Sequence, residues 1–269
     1  MSKGFRYATG PIGWQGSPRD YTGDNMLGIY TQEDIQRYVY GTRYLAWDGR
    51  VFKYAKCGAT LTDMKHGVKN NHILVQENGA TVSAAAAGDT KLTVTFNGDY
   101  NDGVYVKDEL QGGYISIYNT SYVRDQRMII GNDAIATDGG ATTIYLDAPI
   151  TATFTSSVGC EVMENPYTDL RNINDLQTSV MGMPCSLATA TYNFWVQTWG
   201  PCRITPTSAE LGVNNDERMF HFDAYGGVRS AQASIVTEAK SEQIAGFIIE
   251  KTAGASGSAA PFIMLQISI

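Results

Sequence analysis

The chain has 269 residues and a formal charge of −7, with 43% hydrophobic but only 17% charged residues, against roughly 25% charged in an average globular protein. Its basic residues are scattered and no apolar run reaches the ~18 residues of a membrane helix, so neither nucleic acid nor membrane is an expected partner. Twenty-eight glycines and sixteen tyrosines instead point to a β protein whose surface is polar rather than charged.

Residues 1–40 read as an extended arm ending in one short helix. Gly4, Gly10, Pro11, Gly13, Gly16, Pro18, Gly23 and Gly28 oppose regular structure, yet Phe5, Tyr7, Ile12, Trp14 and Tyr21 carry more apolar surface than a solvated tail should. The arm is expected to lie on its own body, or on a neighbouring subunit or a larger surface to which the protein binds, with those five side chains as contacts. Thr31-Gln-Glu-Asp34, followed by Ile35, Tyr38 and Val39, has the form of a capping box and predicts the helix.

Asp48-Gly49 between two β-rich runs predicts a hairpin over Gly41–Lys56. A two-residue turn would pair Trp47 with Arg50, Leu45 with Phe52, Tyr44 with Lys53 and Arg43 with Tyr54, setting cations against rings. Short alternating runs follow at Ile73–Gln76, Lys91–Phe96, Gly103–Val106, Gly113–Tyr118, Arg127–Ile130 and Thr142–Leu146, separated by Asn, Asp and Gly turns. Such spacing indicates sandwiches or barrels rather than βα units. Asn165–Gln177 reads as a linker with a helical turn, and residues 166–177 separate two domains.

In Tyr192–Trp199, Tyr192, Phe194 and Val196 alternate with Asn193, Trp195, Gln197 and Trp199. Large side chains on both faces predict a strand covered on both sides, central to the second domain and stopped by Gly200-Pro201. Thr205–Tyr225 reads as an irregular excursion. Ile244–Glu250 and Pro261–Ile269 read as a terminal hairpin apolar enough to aggregate if unpaired, so that it should be buried in the domain. The fold expected is all-β: two small sandwich or barrel domains, 41–165 and 178–269, behind the arm.

Little in the chain suggests catalysis. P-loop, nucleophile-elbow, zincin and dinucleotide fingerprints are absent. A zinc site built from His66, His72 and His221 would need a carboxylate from elsewhere, for instance Asp223, and structural or surface histidines are the simpler reading. Asn97–Asp108 has calcium-loop features with the glycine one place late. Asp24, Glu33, Asp34, Asp108, Glu109, Glu161 and Glu164 could in principle supply a glycosidase pair, but solvated surface charge is the simpler reading. Cys57, Cys160, Cys185 and Cys202 form no Cys-x-x-Cys and are expected to be free thiols. No enzyme activity, cofactor, metal or disulfide is therefore expected. No apolar segment follows Met1–Phe5, which predicts that the protein is made and kept in the cytosol, or released by lysis.

Several of these stretches resemble the head decoration, or cement, proteins of tailed bacteriophages. They are Gly41–Arg43, Asp48–Lys56, Gly112–Ile117, Thr142–Ile150, Glu164–Tyr167, Phe194–Pro201 and the ending from Ile244. The most telling are Asp-Gly-Arg-Val-Phe-Lys-Tyr and Trp-Val-Gln-Thr-Trp-Gly-Pro. The resemblance implies a non-catalytic virion protein on the capsid exterior, assembled in the host cytoplasm. Its expected partners are the major capsid protein and further copies of itself, typically in a trimer. The chain departs from the pattern in the long Thr205–Tyr225 segment and in Cys202 after Gly-Pro. Competing readings are a tail fibre or receptor binder, and a polysaccharide-binding or -cleaving β-sandwich.

Overall fold

The computed structural model describes residues 28–46, 48–70, 76–96, 104–119, 122–135, 140–155, 157–173, 179–206, 218–230, 243–250 and 261–268. Among these there is no helix. In chain order the strands are β1 (Arg43–Leu45), β2 (Val51–Lys56), β3 (Val68–Asn70), β4 (Gln76–Val82), β5 (Lys91–Thr95), β6 (Tyr114–Asn119), β7 (Tyr122–Asn132) and β8 (Ala141–Leu146). They continue as β9 (Val158–Met163), β10 (Leu170–Asn172), β11 (Val180–Pro184), β12 (Asn193–Arg203), β13 (Met219–Phe222), β14 (Val228–Ser230), β15 (Ile244–Glu250) and β16 (Phe262–Gln266). The all-β expectation holds.

The chain divides into two compact units, one of His72–Pro166 and one combining Met1–Asn71 with Tyr167–Ile269. This differs from the partition 41–165 and 178–269, because β2 pairs with β12 from Asn193↔Lys56 to Trp199↔Val51. The hairpin expected at the head of the first domain thus belongs to the same sheet as the C-terminal strands, and the 72–166 unit is inserted between them. The expected linker is also partly strand: Leu170–Asn172 pairs with β3.

The inserted unit is a closed barrel in the order β4-β5-β8-β7-β6-β9, which leaves no free edge. Alternation does its expected work. Leu92 and Val94 of β5, and Ile144 and Leu146 of β8, point inward with Ile115, Ile117, Ile129 and Val162, all buried. A buried carboxylate fastens the segment after β8 to the barrel wall. Asp125 pairs with Arg127 at 2.7 Å and accepts from the Thr151 amide at 2.9 Å and the Thr151 hydroxyl at 3.1 Å. Arg127 in turn donates to the Pro149 carbonyl through Nε and Nη2.

The other unit is a ten-stranded sheet, β10-β3-β11-β12-β16-β15-β13-β14, with β2 and β1 added alongside β12. β12 is its centre, flanked by β2, β11 and β16. Phe194 and Val196 enter one buried cluster with Ala55, Cys57 and Leu170, whereas Trp195 enters another with Tyr38, Tyr44, Phe52 and Tyr54. The strand is covered on both faces, as its sequence implied.

Three local expectations are corrected. Gly200-Pro201 does not stop β12, which pairs with β16 as far as Arg203↔Phe262. The Thr198 carbonyl accepts from Ile267 on the β16 side, so Pro201, three residues on, turns its missing N–H to the other side. There β2 has already ended, and the Gln197 amide bonds the carbonyls of Trp199 and Pro201. Proline is tolerated where no ladder donor is needed.

The hairpin, secondly, is one residue out of the expected register: Arg43↔Lys53, Tyr44↔Phe52, Leu45↔Val51. The Ala46 amide donates to the Arg50 carbonyl and the Gly49 amide to the Ala46 carbonyl, with Gly49 at φ 84°. That is the three-residue loop closed by a left-handed glycine, not the two-residue turn. Tyr44 no longer faces Lys53, nor Arg43 Tyr54; Arg50 lies over Phe52 at 5.3 Å, and Trp47 lies outside the described residues.

Thirdly, Thr31–Val39 is not a helix. Glu33 and Asn193 exchange backbone hydrogen bonds at 3.0 and 2.7 Å, so β12 takes the donors and acceptors a helix would have used. Ile35 is left exposed while Tyr38 is buried.

Candidate functional site

The expected contact residues Phe5, Tyr7, Ile12, Trp14 and Tyr21 lie outside the described residues, as do His72, Asp24 and Asn97–Gly103. Several of the remaining candidates have local partners. Glu33 binds Arg37 at 2.7 Å, Glu109 accepts the Val106 amide, and Asp223 accepts the amides of Tyr225 and Gly227 in a turn. Asp63 accepts from His66 and from the Lys65 and His66 amides; these outweigh its partial burial and hold its carboxyl below the usual range. No group of three or more His, Cys, Asp or Glu is placed to hold a metal ion among the described residues.

The four cysteines are free. Burial raises all four thiols, Cys57 to about 11 and Cys160, Cys185 and Cys202 to about 12. They are therefore protonated near neutral pH, the poorly nucleophilic state.

What the structure does assemble is an open apolar face on the terminal strands. β15 and β16 pair as the expected hairpin, with Ile248↔Ile263 and Gly246↔Leu265, but they are buried on one side only. Ala245, Ile263 and Leu265 point into a core with Phe220 and Phe222. On the opposite side Met219 pairs with Phe247, Phe247 with Met264 and Met264 with Pro201. One register line across β13, β15, β16 and β12 therefore carries four apolar residues. Met219 is 50% exposed, Phe247 45%, and the flanking Ile249 and Phe262 51% and 49%.

The local backbone makes this placement possible. Gly246 sits at φ 143° with its α-carbon so close to the Met264 carbonyl that a β-carbon would collide with it. A glycine there lets β15 approach β16 while Ala245 turns in and Phe247 out. Ile249, two residues on from Phe247, falls on the same exposed side by the alternation of a strand. Next to the row, His221 is held below its usual range by partial burial and then by Arg229, its partner across β13 and β14.

The sequence reading missed this face because it followed Pro261, Ile263, Leu265 and Ile267 as one apolar stripe. The signal available was the complementary stripe: Phe262 and Met264 are too apolar for a solvated face.

No family model matches the chain, and neither the curated proteins nor the solved structures contain a match to it.

Proposed function

We propose that this chain is a non-enzymatic virion structural protein of a tailed bacteriophage, decorating the capsid exterior and clamping neighbouring major capsid subunits as a homotrimer. The observation that carries the reading is where the two most telling resemblances meet. Asp48–Lys56 and Phe194–Pro201 are separated by 137 intervening residues, yet β2 pairs with β12 and Tyr54 lies opposite Trp195. The likeness therefore falls on one packed structural element rather than on scattered short matches.

The row of Met219, Phe247 and partly buried Met264, with Ile249 and Phe262 exposed beside it, supports an assembling protein, since apolar patches of several hundred Å² commonly mark interaction surfaces. Contacts that are individually modest become strong when a shell repeats them by symmetry. In this reading Phe5, Tyr7, Ile12, Trp14 and Tyr21 contribute contacts to a neighbouring subunit or to the shell.

The test is co-sedimentation of the purified chain with phage heads lacking it, and separately with purified tails. Saturable binding to heads is the expected result. Binding to tails alone would replace the proposal with the tail-fibre reading, and binding to neither would overturn it.

A further inference from the structure

We propose that the row of Met219, Phe247, Met264 and Pro201 seats the aromatic N-terminal arm of a second copy of this chain. The inference deepens the homo-oligomeric part of the proposed function and rests on it. Met219, Phe247, Ile249 and Phe262 are each about half exposed, which at ~200 Å² per large side chain leaves roughly 400 Å² of apolar surface open. Two such faces stacked on each other would bury about 800 Å², short of the roughly 1,200 Å² at the low end of stable interfaces. Simple face-to-face pairing is therefore insufficient, whereas two copies that exchange arms fill two such faces, each matched by about 400 Å² of the arm's own apolar surface, for about 1,600 Å² in all.

The chain carries one such segment. Residues 1–27 hold Phe5, Tyr7, Ile12, Trp14 and Tyr21, and they join the described chain at a defined place. Ile29 is buried in the cluster that contains Trp195 and Phe52, and the Tyr30 hydroxyl accepts from Arg50. The stem of Arg50 lies where a side chain on Gly200 would point. Cys202, two residues on, packs against the core on that same covered side, while Pro201 is exposed at the end of the row. The arm thus begins beside β12 on the side opposite to the row.

At ~3.3 Å per residue, 27 extended residues span up to about 90 Å, while four strands at ~4.8 Å spacing make a row only about 15 Å long. The arm is several times longer than its seat. That length lets it leave its own sheet and lie across the row of a second copy.

The experiment places a photo-crosslinking benzoylphenylalanine at position 247 of the full chain. Equal amounts of ¹⁵N-labelled and unlabelled chain are mixed in denaturant, refolded together and irradiated in the absence of capsids. The expected product joins the peptide around position 247 to the tryptic arm peptide Tyr7–Arg19, with about half of the pairs carrying one label from each chain. The same probe at the exposed Met64 should not capture that peptide.

Arm crosslinks that are never hybrid would show the arm lying on its own sheet and overturn the proposal. Crosslinks between two copies of the 247 peptide, or none to the arm, would overturn it as well. Because capsids are absent, each of these outcomes is independent of whether the chain binds heads.

Discussion

Replacing Trp195 by alanine should destabilise the sheet unit by about 4–5 kcal/mol. Trp195 is 1% exposed, and its ring lies 5.3 Å from Tyr54, 5.7 Å from Tyr38 and 5.9 Å from Tyr44. Burying ~200 Å² of aromatic surface at ~25 cal/mol per Å² is worth about 5 kcal/mol, and buried Trp-to-Ala truncations fall at ~3–5 kcal/mol. The three ring contacts place this site toward the upper end of that range. Trp199, four residues along the same strand, is only half-buried, because the register shift between Gln197 and Trp199 turns it away from that cluster. Trp199→Ala should therefore cost roughly 2 kcal/mol. Urea unfolding followed by far-UV circular dichroism compares the two without depending on the tryptophan signal being altered. If Trp199→Ala costs as much as Trp195→Ala, the shift is misplaced and the reasoning about β12 fails.

Asp125→Ala removes the acceptor for Thr151, Ala152 and Arg127 at a site where the carboxylate is almost fully buried; a loss of roughly 2–4 kcal/mol in urea unfolding is expected. An effect under 0.5 kcal/mol would mean the clasp is not needed. For His221, whose lowered value favours the neutral ring in the fold, the unfolded chain takes up the proton first as pH drops below about 6.5. Stability should fall between pH 7 and 5, and His221→Gln should lose less over that window; identical slopes would refute the assignment.

The all-β character was legible because period-two runs and Asn/Asp/Gly turns leave little room for helices. β12 was legible as a central strand because Phe194 and Val196 alternate with Trp195, so neither face could be left to water. Register was not legible. Asp48-Gly49 is compatible with both two- and three-residue loops, and only the closing geometry at Ala46 and Arg50 decides between them. Nor was the discontinuous unit, since no local signal in Val51–Lys56 names Asn193–Trp199 as its partner. The capping box at Thr31 failed for a related reason: Asn193 offered Glu33 a β-bridge, and a distant partner overrode a local preference. The exposed row was half-written in Phe262 and Met264, but which stripe of an all-apolar strand faces water depends on the core it meets.

The measurement that tests the functional account most directly is a subnanometre electron cryomicroscopy reconstruction of virions containing this chain. The account predicts density for the β-barrel and the ten-stranded sheet on the outside of the head, repeated at lattice positions between major capsid subunits. Density confined to the tail, or heads bare of it in virions that contain the chain, would contradict it.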